Sequence, residues 1–110
     1  RCGTALKRLK NAQKCINNED FDLFFEEIEK SLWGYFADKF KVSAANLSKK
    51  TVSNYFNSRT IDREVESEFI ALLDECEFAR YAPSINKNTQ MDETLNKAKN
   101  IIIKVETSLK

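Results

Sequence analysis

The residues best suited to chemistry in this chain are two pairs of close carboxylates, Glu26 with Glu27 and Glu75 with Glu77, and three cysteines, Cys2, Cys15 and Cys76. Carboxylates one or two positions apart do not share a helix face, so neither pair can place two oxygens on one reacting atom. They read as solvated charges. Histidine is absent, which removes the usual general base at neutral pH, the commonest metal ligand and every Ser-His or Cys-His nucleophile pair. The cysteines are odd in number and without paired spacing, which argues against a disulfide framework or a zinc site and favours a reducing compartment. Cys76 falls on an apolar helical stripe and reads as a small buried hydrophobe. No glycine-rich phosphate loop occurs. The expectation is a non-enzyme with no catalytic, metal or cofactor-binding residue.

Binding is the chemistry left. Trp33 and Tyr35 lie about 160° apart around one helix, so they cannot face a single core pocket, and one of them is a candidate partner anchor. Arg80 stands three residues after Glu77, close enough to pair with it on one face, and an Arg-Tyr edge at Arg80-Tyr81 suits an interface. The candidate partner-binding set is therefore Trp33, Tyr35, Glu77, Arg80 and Tyr81. A separate string, Leu47-Ser48-Lys49-Lys50-Thr51-Val52-Ser53-Asn54-Tyr55-Phe56-Asn57, is similar to the recognition helix of LacI-type helix-turn-helix repressors. It makes DNA binding through residues 47–57 the alternative reading. The flanking segments are acidic, however, where such a module needs basic residues toward the phosphates.

The elements that must carry these residues follow from apolar spacing. Leu6, Leu9, Ala12 and Ile16 give a first amphipathic helix over about residues 4–16, interrupted at Asn17-Asn18. Asp20 can cap a second helix whose stripe is Phe21, Phe24, Phe25, Ile28, Leu32, Tyr35, Phe36 and Phe40. Gly34 inside that helix suggests close approach of a neighbouring helix. Shorter elements follow: one turn from Ser43 to Asn46, then a helix started by Ser48 or Thr51, ended at Asn57-Ser58-Arg59, with Ile61 plugging the core. Asp62 can cap the next helix, which buries Val65, Phe69, Leu72, Leu73, Cys76 and Ala79 until Pro83 bars its continuation. Ser84 to Asn88 reads as a polar linker and Thr89 to Asp92 as a capping-box start. The last helix carries a heptad-like seam of Met91, Leu95, Ala98, Ile102, Val105 and Leu109, with Ile101 and Ile103 beside it.

The totals agree with one all-α domain over residues 1–110, a small bundle of four to five helices with one or two short ones in the middle. Hydrophobic residues make up 42% and charged residues 32%, with two glycines and one proline, a composition for long helices rather than turn-rich sheets. Net charge is +1, so no global field favours nucleic acid or acidic substrates. Its distribution is uneven: Arg1, Lys7, Arg8, Lys10 and Lys14 precede the first acid, Glu19. Such a basic start suits a segment just inside a membrane, and it also allows docking on an anionic membrane surface. No apolar run reaches the ~20 residues of a membrane span. The initial Arg rather than Met suggests a piece of a longer protein.

Three ordered anchors carry a family resemblance. They are Leu32-Trp33-Gly34-Tyr35-Phe36-Ala37-Asp38-Lys39-Phe40, then Leu47-Ser48 followed by Val52 and Phe56, then Cys76-Glu77-Phe78-Ala79-Arg80-Tyr81-Ala82-Pro83. Together they resemble the C-terminal tail of the BatD family of bacterial oxygen-tolerance (Bacteroides aerotolerance) proteins, over about Leu9 to Pro83. Asn57-Ser58-Arg59-Thr60 stands where that family has a more usual Arg-Gly-Val-like turn. The resemblance implies the cytoplasmic tail of a membrane-anchored protein, on the cytoplasmic side of the bacterial inner membrane. It also implies protein partners, MoxR-type AAA+ ATPases or von Willebrand factor A-domain Bat proteins, and no nucleic acid.

Overall fold

Among the described residues, five α-helices and one 3-10 turn follow one another in a computed structural model: α1 (Cys2–Asn17), α2 (Phe21–Phe40), the 3-10 turn (Ala44–Asn46), α3 (Lys49–Ser58), α4 (Arg63–Ala79) and α5 (Lys87–Ser108). The structure describes residues 2–79, 81 and 87–109, with side chains from Leu6 onward. The expected stop at Pro83 and the linker before Lys87 lie outside the described residues. Expectation and outcome agree on an all-α bundle with its short elements in the middle.

The α2 stripe is buried along its whole length, from Phe21 to Phe40. Phe36 is the hub of an aromatic cluster, its ring centroid 4.9 Å from Phe40, 6.0 Å from Phe56 and 6.5 Å from Phe69. Phe56 and Phe69 meet edge-on at 5.5 Å, so these rings tie α2 to α3 and α4. Edge-on and tilted contacts place the positive ring edge on a neighbour's negative face, which adds to the burial itself. α1 lies mainly on α2, burying Leu9, Ala12 and Cys15. α5 packs on α1, α2 and α4, and its seam is core throughout: Met91, Leu95, Ala98, Ile102 and Val105 are buried, with Leu109 half-buried. Ile101 is also inside, whereas Ile103 stays 49% exposed. One core cluster thus runs from Leu9 to Val105, and the radius of gyration, 13.6 Å, is close to the ~13 Å of a compact chain of this length.

The helix stops differ from the sequence reading in an informative way. Left-handed backbone falls at Glu19, Lys41 and Thr60, with φ of 57°, 56° and 54°, not at Asn17, Asn18 or Asn57. Each is the penultimate residue of a Schellman closure. Asp20 N–H donates to the Cys15 carbonyl, Val42 to Ala37 and Ile61 to Phe56 (2.9, 3.1 and 3.0 Å), satisfying carbonyls that a helix end leaves open. The residue after each left-handed position then turns inward or caps. Val42 and Ile61 are buried, and Asp20 accepts a hydrogen bond from Leu23 N–H at the start of α2. The turn at Asn57-Ser58-Arg59-Thr60 is therefore the third of three alike, with a β-branched threonine in the conformation glycine holds most easily. One further expectation is corrected: α5 is already helical at Lys87, so Thr89 is not its cap. The close neighbour expected at Gly34 is α1, whose Arg8 side chain takes the space a β-carbon would need.

Candidate functional site

The apolar stripe of α4 comprises Val65, Phe69, Leu72, Leu73, Cys76 and Ala79. Asp74, Glu77, Phe78 and Tyr81 fall at positions i, i+3, i+4 and i+7 on the opposite side, and that spacing makes them one outward ridge. All four are exposed, Phe78 by 71% and Tyr81 by 83%. Of the eight phenylalanines in the chain, every one but Phe78 is buried. Tyr81 continues the helical path by one hydrogen bond, its N–H donating to the Phe78 carbonyl at 3.0 Å, so the two rings sit one turn apart. With the half-buried Glu29 from α2, the ridge lines an open concavity of about 540 Å³.

α3 meets this ridge through Lys49. Ser48 caps this helix by accepting from Thr51 N–H at 3.1 Å, and that cap sets Lys49 at the first position facing α4. Lys49 Nζ donates to Glu77 Oε1 at 2.5 Å and also to Asp74 Oδ1. These two hydrogen bonds raise the lysine above its ordinary range, so it stays a cation. Two of the three carboxylates at the concavity therefore share one ammonium.

The other predicted residues are placed elsewhere. Tyr35 is buried, and its hydroxyl donates to Glu106 Oε2 of α5 at 2.5 Å. Lys39 Nζ donates to the same carboxylate at 3.1 and 3.0 Å. Tyr35 is thus an internal clasp between α2 and α5 rather than a contact surface. Trp33 is half-buried against the core and is not among the residues that line the concavity. Glu77 pairs with Lys49, and Arg80, its expected partner, lies outside the described residues. The site therefore brings together Glu77 and Tyr81 from the sequence reading and adds Glu29, Lys49, Asp74 and Phe78. The spacing of Asp74, Glu77, Phe78 and Tyr81 against the apolar stripe was the available signal for the ridge.

Glu75 and Glu77 diverge: Glu75 accepts from Thr94 (2.8 Å) and Lys97 (3.1 Å) of α5. Glu26 and Glu27 lie beside Lys30 at 3.1 and 4.0 Å. In the segment 47–57, Val52 and Phe56 are buried, Tyr55 packs on Phe36 and Phe40, and Thr51 donates to the Asn46 carbonyl at 2.8 Å. With Lys49 held by α4, the exposed polar residues of α3 include only Lys50 as a cation. Such a surface offers little to a phosphate backbone. Among the described residues no helix is long and apolar enough to cross a membrane. Comparison with known family models, with curated proteins and with solved structures gives no match.

Proposed function

We propose that this domain is a non-enzymatic protein–protein interaction module, the cytoplasmic part of a BatD-like membrane protein. In this reading it docks a MoxR-type ATPase or a von Willebrand factor A-domain protein of the Bat system through the outward ridge of α4. The observation that carries the interaction reading is the exposed ring pair Phe78 and Tyr81, in a domain whose other phenylalanines are all inside. Aromatic side chains left in water beside a concavity are where interfaces concentrate their energy. The partner class comes from the resemblance of the three anchors, the last of which contains Glu77, Phe78 and Tyr81 of this ridge.

The test is calorimetric titration of the domain with a purified MoxR-type ATPase and, separately, a purified Bat A-domain. Phe78→Ala and Tyr81→Ala are each expected to weaken binding about tenfold, the usual scale for an aromatic anchor, with far-ultraviolet circular dichroism unchanged. Binding by neither protein would remove the Bat assignment. Binding that ignores both substitutions would remove the ridge.

A further inference from the structure

We propose that α1 docks the domain on an anionic phospholipid surface through the row Lys7, Lys10 and Lys14; this stands apart from the α4 ridge and its partner. The three lysines follow one another at i, i+3 and i+7, within about 60° of arc and along about 10 Å of helix. Leu9, Ala12 and Cys15 are the buried side of α1, and they centre about 170° away around the axis. The row therefore points straight into water, and all three lysines are exposed. Asn11, Gln13 and Asn17, exposed beside it, are neutral, and α1 contains no acid. Arg8, exposed where it lies over Gly34, adds a positive charge on the flank toward α2.

The charge of this row is not spent inside the domain. Lys30, Lys39, Lys49, Lys97 and Lys104 are ion-paired, whereas Lys7, Lys10 and Lys14 make no ion pair among the described residues. α1 packs on α2 and α5, and both of these pack on α4, so α1 and α4 stand on a diagonal of the bundle. The strongly acidic α4 is thus held across a body 26 Å wide, about three screening lengths at physiological salt. A flat anionic surface against α1 meets the lysines without meeting those acids. Nucleic acid fits less well, because α1 has no aromatic residue to stack on a base. Its row also lacks the planar fork that grips a fixed phosphate. Mobile lipid headgroups need only nearby positive charge.

The experiment is sedimentation of the intact domain with vesicles of equimolar phosphatidylcholine and phosphatidylserine, alongside vesicles of phosphatidylcholine alone. The domain is expected to bind the anionic vesicles, to ignore the neutral ones and to dissociate with added salt, since exposed charges are screened. Lys7→Gln, Lys10→Gln and Lys14→Gln should each weaken binding about fivefold, the scale of one basic residue at an anionic leaflet, with helicity unchanged. Lys50→Gln removes the same charge from an exposed site on α3 and should leave binding as it was, as should Phe78→Ala on the diagonal helix. No binding to anionic vesicles at low salt overturns the proposal, as does equal binding to both kinds of vesicle. Weakening by Lys50→Gln as large as by Lys10→Gln overturns the row, since net charge alone would then explain the attraction. A duplex oligonucleotide that binds through the same lysines where the vesicles do not also overturns the lipid surface.

Discussion

Replacing Tyr35 by Phe should expose how much the clasp between α2 and α5 contributes. The ring is 2% exposed, so Phe fills the same space and the change is confined to one hydroxyl. That hydroxyl donates to a carboxylate at 2.5 Å, and hydrogen bonds to charged groups contribute about 1.5–3 kcal/mol. Glu106 keeps Lys39 at 3.0 Å and is 25% exposed, so water can partly replace the lost donor, and the expected loss is about 1.5–2 kcal/mol. At roughly 5 °C per kcal/mol for a domain of this size, Tm should fall by about 8–10 °C. Burial works to raise the Glu106 carboxyl, but the hydrogen bonds from Tyr35 and Lys39 and the Lys39 charge outweigh it and hold the group below its ordinary range. A carboxylate so depressed stabilises the fold fully above its unfolded pKa and loses that contribution as pH falls through the folded value. Urea unfolding of the wild type and Tyr35→Phe should therefore differ most near neutrality and converge in acid. A Glu106→Ala background should cut the Tyr35→Phe penalty by about 1 kcal/mol. A penalty under about 0.5 kcal/mol at neutral pH, or one equal at neutral and acid pH, would refute the reasoning.

Other perturbations test other parts of the fold. Thr60→Gly should raise stability by about 1 kcal/mol, since a β-branched residue there holds φ at 54°; unchanged denaturant midpoints would show that the closure carries no strain. Ser31 is 1% exposed and its hydroxyl meets no hydrogen-bond partner among the described residues, so Ser31→Ala should stabilise by about 0.5–1 kcal/mol in the same assay. Cys15 and Cys76 are buried, and burial, with Asp20 and Glu27 nearby, pushes the Cys15 thiol up. Both should react with a thiol reagent only at the rate of unfolding, and fast labelling in native buffer would contradict their placement.

Much of the architecture was legible because it rests on period alone. The stripes from Phe21 to Phe40 and from Val65 to Ala79 repeat at helical spacing, and both are buried as read. The stops were less legible, because at two of them the preference of Asn for left-handed backbone yielded to closure hydrogen bonds that Glu19 and Thr60 complete, and no asparagine stands at the third, closed at Lys41. Tyr35 shows a different limit. Its position on the stripe was readable, but its hydroxyl's partner is 71 residues away, and no local pattern announces that. The same holds for Lys49, whose partners lie 25 and 28 residues downstream. Glu77 and Tyr81 were found from their types and neighbours. Phe78 required subtracting the buried face of α4 from the whole helix, a step that only the spacing of all its residues permits.

The placement of α5 against α1, α2 and α4 has a consequence during synthesis. As the chain leaves the ribosome, the phenylalanine-rich α2 emerges long before the helix that completes its cover. Until Lys87–Ser108 has cleared the exit tunnel, the nascent chain offers that sticky face to chaperones or to other nascent chains. Premature termination before Met91 would leave it uncovered for good, and such truncated products should be cleared by proteases rather than accumulate.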